Sequence, residues 1–258
     1  MTAAVIVMVL VAMTYANGFL SSRMAENEYS TNRQFMLTTG LQIDDIAWTV
    51  GRAQTVRYSS QYGNMKFQSL AINYTLEVYD GSWTTVFNVT TGIILFNIPT
   101  DSYSLGNNYF ERVTPASNGS FLQGGSSAPV SHVFCVEKLP MNDGSFIRVG
   151  IIPSIRMLNS TISGQGTSTN YAKLYLPVLE QGNHRYLSQS ITMVGNDIIK
   201  IVDSGVDRVR VNVTFPKADL GFDDTFFNFD HISETRTLSA DSVVELYVGK
   251  IIVTLGQV

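Results

Sequence analysis

The carboxylates between residues 217 and 234 form the densest group of chemically useful side chains in the sequence. Asp219, Asp223, Asp224 and Asp230 alternate there with four phenylalanines. Carboxylate clusters on extracellular loops bind Ca²⁺, but this spacing is not that of an EF-hand. We therefore predict a solvated loop over a phenylalanine-anchored core and no cofactor, and we keep Ca²⁺ at Asp219, Asp223 and Asp224 as the less favoured alternative.

The residues that most often serve as nucleophiles and metal ligands are few. The three histidines, His132, His184 and His231, lie far apart and lack the spacing of a metal-binding pair. The single cysteine, Cys135, has apolar neighbours, so we predict a buried, unreactive thiol in a strand. The sequence contains no nucleophile elbow, P-loop or dinucleotide-binding motif. We expect neither an enzyme nor a small-molecule substrate.

Five Asn-x-Ser/Thr sequons are candidate sites for N-linked glycans, and all of them follow residue 60. They are Asn73, Asn88, Asn118, Asn159 and Asn212. A chain rich in Asn, Ser and Thr forms some sequons by chance. We predict that Asn118 and Asn159 lie in loops and are the best candidates, whereas the other three lie in strands and need an outward-facing position.

The overall composition indicates a polar surface with few charges. Charged residues make up 15% of the 258 residues, compared with about 25% in typical soluble domains. The net charge is −4, and Lys and Arg are scattered rather than clustered. This pattern argues against nucleic-acid binding, which needs a basic face to neutralise phosphates. The length allows one large all-β domain or two small ones.

The N-terminal stretch MTAAVIVMVLVAMTYANGFLSS has no charged side chain before Arg23. About 20 apolar residues suffice to cross a bilayer. A signal peptide would begin with a basic region, and an ordinary signal anchor would have flanking positive charge. No basic region precedes the stretch, and only Arg23, on its C-terminal side, offers a flanking charge. We therefore expect a mature chain from which a basic leader has been removed.

The segment from residue 23 to about residue 60 continues this stretch with the periodicity of a helix. It contains no proline, and apolar residues recur at helical spacing: Phe35, Met36, Leu37, Leu41, Ile43, Ile46, Ala47, Val50 and Val56. We predict one nearly continuous helix over residues 1–60, roughly 85 Å long. Residues 1–22 would be its apolar segment and residues 23–60 its amphipathic stalk, with Gly18, Gly40 and Gly51 as weak points.

From residue 63 to residue 258 the pattern is that of strands. Apolar residues alternate from Phe67 to Val78 and are followed by Asp80-Gly81, a hairpin signal. Turn signals at residues 142–144, 164–166 and 203–205 separate further runs. We count about eight to eleven strands and predict an antiparallel, sandwich-like β head. The expected fold class is α+β, with the long hydrophobic helix preceding this head.

This arrangement resembles the type IV pilins, and most closely their archaeal branch, the archaeal pilins and flagellins. The resemblance covers about the first 60 residues, and the head agrees only in class. It implies that a peptidase removes a short leader and that the helix lies in the membrane before it packs into the core of an extracellular filament. Val5 stands where bacterial type IV pilins usually carry glutamate, a residue that the archaeal proteins often lack.

The function predicted in this way is that of a structural subunit of a cell-surface filament for adhesion or attachment, with copies of itself as partners in a helical homopolymer. A helix that is apolar on all sides needs lipid or other helices around it. The candidate helix-packing residues are Val5, Val7, Leu10, Val11, Thr14, Tyr15, Asn17, Gly18 and Phe19. The alternatives are a membrane-anchored extracellular adhesin or receptor with one span, and a minor pilin of a secretion machine.

Overall fold

The computed structural model describes residues 2–164, 167–182 and 189–256, so His184 lies outside the described residues. One long N-terminal helix is followed by a large domain of mostly antiparallel strands. This arrangement confirms the predicted α+β class.

Helix α1 runs from Thr2 to Ala47. The prediction of a helix to residue 60 was therefore wrong at its C-terminal end, because Ala53–Arg57 form strand β1. Gly51 has a positive φ of 81° and its N–H donates to the Gly195 carbonyl at 2.7 Å. After Ala47 the backbone therefore forms hydrogen bonds with the distant strand β10 instead of continuing the helix. A local sequence pattern does not indicate such long-range pairing.

Eleven strands are formed by the described residues. They are β1 Ala53–Arg57, β2 Asn64–Tyr79, β3 Trp83–Pro99, β4 Tyr109–Thr114, β5 Leu122–Gly124, β6 Ser131–Glu137, β7 Phe146–Pro153, β8 Ile155–Gly164, β9 Thr167–Gln181, β10 Ser190–Thr214 and β11 Ser233–Gly256. A 3₁₀ turn, Ala218–Leu220, and the short helix α2, Asp224–Phe227, connect β10 to β11. The head therefore begins at β1, before the predicted boundary at residue 63.

The strands form one sheet in the order β4-β6-β7-β3-β2-β10-β11-β9-β8-β5, and β1 pairs with β10. Most pairs are antiparallel as predicted, but β9 with β11 and β5 with β8 are parallel. The sheet folds over on itself, since the Leu179 N–H of β9 donates to Thr91 Oγ1 of β3 at 2.9 Å. This closure gives the head its sandwich-like form.

The turn predicted at residues 203–205 is instead a bulge inside β10. The pairing register of β10 with β11 shifts between Asp203 and Val206. Gly205 has a φ of 75°, and on β11 Asp241 also has a positive φ. A polar stretch that contains glycine is typical of a bulge as well as of a turn. Here β10 pairs with β11 both before and after the stretch, so it forms a bulge.

Two hydrophobic cores lie on opposite sides of the sheet. Strand β6 shows the arrangement, because Val133 and Cys135 face α1 while Phe134 and Val136 face the interior of the folded sheet. The prediction of a buried Cys135 in a strand is confirmed. Burial raises the pKa of its thiol to about 11, which disfavours the reactive thiolate.

Two glycines allow the end of α1 to approach the sheet. A Cβ at Gly195 would lie 2.6 Å from the Ile46 carbonyl oxygen and 2.5 Å from that of Thr49. A Cβ at Gly249 of β11 would overlap the Ala47 carbonyl oxygen and lie 3.0 Å from the Trp48 ring. The helix C-terminus can therefore contact the sheet only where side chains are missing.

We predict that Gly249→Ala destabilises the protein by about 1–3 kcal/mol, because the added methyl group overlaps backbone that cannot rotate away. Chemical denaturation of the full chain in mild detergent, followed by tryptophan fluorescence, measures the change. Gly124→Ala is the matched control, since a Cβ at that position would meet no other group within 4 Å. Equal stability of the two variants would contradict the close approach of α1 to β11 as the reason for glycine at position 249.

Candidate assembly surface

The first half of α1 extends beyond the head with its apolar side chains in solvent. Within the span Ala4–Ala47, an 18-residue window has a mean hydropathy of 1.9 and none of its residues is buried. By length and composition this helix is apolar enough to cross a membrane, as an anchor or a signal sequence would. Its exposed surface is the candidate functional site.

The predicted helix-packing residues all lie on this exposed segment. Val5, Val7, Leu10, Val11, Tyr15 and Phe19 are each more than half exposed, and Thr14, Asn17 and Gly18 are exposed as well. They are distributed around the helix rather than along one stripe. No face of the segment is thus reserved for the head, and the entire circumference is available to lipid or to other helices.

Thr14 has its hydroxyl satisfied within the helix. Its Oγ1 donates to the Leu10 carbonyl at 2.9 Å. Such a bond to the preceding turn lets a threonine enter an apolar environment without an outside partner. Thr14 therefore does not interrupt the apolar surface.

The second half of α1 is attached to the head along a buried seam with alternating spacings of four and three residues. The buried positions with this spacing are Ala25, Tyr29, Asn32, Met36, Thr39, Ile43 and Ile46, and Gly40 and Ala47 are buried beside them. Two aromatic contacts support it, Tyr29 with Tyr103 at 5.5 Å and Phe35 with Tyr58 at 5.8 Å between ring centroids. The helix is thereby held as a rod against the sheet, and the apolar segment continues the same rod.

Glu28 joins the helix to the loop before β2. Its carboxylate accepts hydrogen bonds from the Ser60 hydroxyl at 2.6 Å and from the backbone N–H groups of Gln61, Tyr62 and Gly63 at 2.8–3.2 Å. Burial alone would raise the pKa of Glu28, but these bonds outweigh it and hold the pKa below its ordinary value of 4.5. No sequence pattern indicated this role, because the partners are more than 30 positions away.

Asp44 holds the C-terminal end of the helix. Its carboxylate pairs with both terminal nitrogens of Arg156 on β8, at 2.7 and 3.0 Å, and accepts a bond from Trp48 Nε1 at 2.7 Å. The Trp48 ring contacts Tyr175 of β9 edge-on at 5.2 Å. Trp48 therefore packs the end of the helix against the head.

Two of the sequons have exposed asparagines whose side-chain Nδ2 donates no hydrogen bond to another described residue. Asn118 lies in the loop after β4, as predicted, and only its Oδ1 is bonded, to the Ser120 N–H. Asn159 was predicted in a loop but lies in β8, where it is exposed. Its strand protrudes beyond β5, so an extended residue can be as accessible as a loop residue.

The three sequons predicted in strands do lie in β2, β3 and β10. Asn212 of β10 pairs with Thr75 of β2, and Thr75 pairs in turn with Asn88 of β3. Asn73 lies two residues before Thr75 on β2, so the three sequon asparagines share one face of the sheet. Asn212 is half-buried, and its Nδ2 donates to Glu77 Oε2 at 2.7 Å while its Oδ1 accepts from Ser233. Asn88 is exposed and Asn73 is half-buried.

The aspartates predicted as the alternative Ca²⁺ site do not converge. Asp223 caps α2 and pairs with Lys138 at 2.6 Å, while Asp219 and Asp224 are exposed. Asp230 pairs with Arg112 at 3.1 Å. Across the described residues, no three His, Cys, Asp or Glu side chains come together as a metal site.

The two described histidines have different environments. His132 is buried in β6 beside Gln123, with 2.7 Å between Nε2 atoms, and burial lowers its pKa to about 4. His231 is exposed in the connection before β11.

Comparisons with protein-family models, with curated proteins and with solved structures gave no match to this chain.

We predict that Glu28→Gln lowers the free energy of unfolding by about 1–3 kcal/mol at neutral pH, because the charged acceptor of four hydrogen bonds is lost. The folded-state pKa of Glu28 is depressed, so its contribution is complete above 4.5 and is lost as the pH falls through the folded value. The difference between wild type and variant should therefore shrink below pH 4.5. Denaturant titrations of the full chain between pH 3 and 7 measure it.

Glu26→Gln is the control for this measurement. Glu26 forms an exposed pair with Arg23 at 2.7 Å, and such pairs contribute little to stability. A pH-independent effect of Glu28→Gln, or an equal effect of both variants, would refute the proposed role of the Glu28 carboxylate.

Proposed function

We propose that this protein is a structural subunit of an extracellular filament whose core is formed by the apolar segments of α1 from many copies. The observation that carries the proposal is the complete exposure of an apolar helix that continues rigidly from a firmly attached stalk. Burying each exposed Val, Leu, Ile or Phe side chain contributes roughly 1.5–3 kcal/mol. Identical helices in a filament core, or lipid before assembly, supply that burial.

The outward face of the stalk supports helix packing between copies. Its charged exposed residues, Arg23 and Asp45, lie at the two ends of the stalk and are paired within the chain, with Glu26 and Arg52. Between these ends the exposed positions carry no charge: Met24, Asn27, Ser30, Thr31, Gln34, Thr38 and Leu41. Close approach of like helices here meets no charge repulsion. Small residues in the apolar segment, such as Ala12 and Ala16, would let the helix backbones approach closely.

The proposed sequence of events begins with the apolar segment in a membrane and the head outside the cell. Subunits then leave the bilayer and assemble by a repeated screw operation, which yields an open helical polymer. The filament would serve adhesion or surface attachment, with the heads on its outside. The competing functions are a single-span, membrane-anchored adhesin or receptor and a minor pilin of a secretion machine.

We predict that Val11→Asp lowers the yield of surface filaments at least tenfold while the protein remains in the membrane fraction. One central Asp costs about 2.5–3.5 kcal/mol in a spanning helix, which the other apolar residues offset. In a dry filament core, the same charge would recur in every subunit without a partner. Electron microscopy and mass spectrometry of sheared surface material, with immunoblots of membranes, give both readouts.

Val11→Ile is the matched control, because it changes the same side chain but keeps it apolar and uncharged. It should leave the filament yield unchanged. If wild-type cells carry the protein in their membranes but shed no fibres that contain it, the membrane-anchored function is correct instead. Filaments in which this chain is rare would indicate the minor-pilin function.

We also propose that the head carries N-linked glycans, and the geometry ranks the sequons. Transfer of a glycan needs an accessible Nδ2, and Asn118 and Asn159 offer one. The Nδ2 of Asn212 is engaged by Glu77 in a half-buried network.

We predict glycan occupancy at Asn118 and Asn159 and none at Asn212. Glycopeptide mass spectrometry of the protein from its native cells measures all sites in one sample, so Asn212 is the internal control. Occupancy of Asn212 with Asn118 unmodified would overturn the ranking.

A further inference from the structure

Two polar side chains in the apolar segment of α1 have no partner among the described residues. Between Ala3 and Leu20, only Thr14, Tyr15 and Asn17 carry a polar side-chain group. Thr14 bonds to its own helix, whereas the Tyr15 hydroxyl and the Asn17 amide form no hydrogen bond with another described residue. Tyr15 is 78% exposed, and Asn17 is exposed as well. Once water is excluded from this segment, each of the two groups needs a partner.

Tyr15 and Asn17 point to nearly opposite sides of the helix. Positions two apart differ in direction by about 200°. Ala12 and Phe19 lie on the side of Tyr15, and Met13 lies on the side of Asn17. The two groups therefore cannot bond to each other within one helix. A two-fold contact between two copies would not pair them either, because it joins identical patches and places like residues together.

A polymer built by a screw operation offers the contact that these positions require. Its interfaces are heterologous, so one side of each copy meets a different side of the next copy. The tyrosine hydroxyl and the asparagine amide can each donate and accept a hydrogen bond. One repeated contact between the Tyr15 side and the Asn17 side would thus satisfy both groups in every copy inside the polymer.

We propose that Tyr15 of each copy bonds to Asn17 of a neighbouring copy in the filament core, and that this bond sets the axial register of the helices. This contact rests on the proposed filament function, within which it aligns the subunits. Apolar side chains alone let parallel helices slide, since their contacts have little directionality. A single buried amide is known to specify register in coiled coils, and polar side chains also bond between helices in membranes.

The pair also specifies the stagger between neighbouring helices. Tyr15 lies about 3 Å from Asn17 along the axis. Side chains of a helix lean towards its N-terminus, and that of tyrosine is the longer of the two. The copy that contributes Tyr15 is therefore displaced by roughly 3–6 Å towards the head of the copy that contributes Asn17. Electron cryo-microscopy of sheared filaments measures this displacement, and core helices in which the two residues are not adjacent would overturn the proposal.

The energetic test measures how fast filaments sheared from cells that produce the full chain dissociate into subunits in detergent. Asn17→Leu and Tyr15→Phe should each speed dissociation at least threefold, because each leaves the other group buried without a partner. The double variant should dissociate within twofold of the wild-type rate, since it leaves neither group unpaired. Its helices should be less uniformly staggered, because the bond that sets the register is absent.

The exchange variant Ala16→Asn/Asn17→Ala is the matched control. It keeps the composition of the segment but turns the amide by about 100° around the helix, away from Tyr15 of the neighbouring copy. Its filaments should be no more stable than those of Asn17→Leu. Wild-type stability of this variant would show that the amide needs no specific partner and would overturn the proposal.

The remaining outcomes separate this contact from the function on which it rests. Membranes that hold the protein while wild-type cells form no fibres contradict the filament function and the contact together. Fibres whose dissociation is unchanged in both single variants, or in which the two effects add, contradict the contact alone. An effect of Asn17→Leu with none of Tyr15→Phe indicates a bond between two Asn17 side chains and also overturns the proposal.

Discussion

The head of this protein cannot cover a helix that is apolar on all sides, and the rest of the structure depends on this constraint. A single sheet face can cover one side of a helix, and here it covers the side that contains Met36 and Ile43. Where the sheet ends, the helix continues with apolar side chains around its whole circumference. Water is a poor solvent for that surface, and this is the physical reason for our proposal that lipid or other helices surround it.

The attachment of the stalk depends on polar groups as much as on apolar packing. The seam alone would let the helix slide or rotate, since apolar contacts have little directionality. Glu28 near one end and Asp44 near the other each bind several donors of fixed geometry on the head. These two carboxylates set the register and angle at which the apolar segment leaves the head.

The sheet stabilises both halves of the molecule because it has apolar side chains on both faces. On its helix side it completes the stalk, and on its other side it closes over a second core that contains Phe134 and Phe226. The outer parts of the strands then extend into solvent, where Ser, Thr and Asn replace apolar residues. Among the described strands, β8 pairs with the short β5 only from Ile155 to Met157 and has an open edge beyond it, since strands of unequal length leave one.

The sequence by itself determined what depends on neighbours along the chain. The uncharged run before Arg23, the helical spacing through Ile46 and the alternation from Phe67 to Val78 each produced the predicted element. Tertiary structure decided what depends on distant partners. Pairing with β10 ended the helix at Ala47, pairing with β11 turned residues 203–205 into a bulge, and a loop more than 30 positions away made Glu28 a key residue. Local patterns report only the propensity of a segment, whereas hydrogen bonds and close packing between remote segments carry enough free energy to override it.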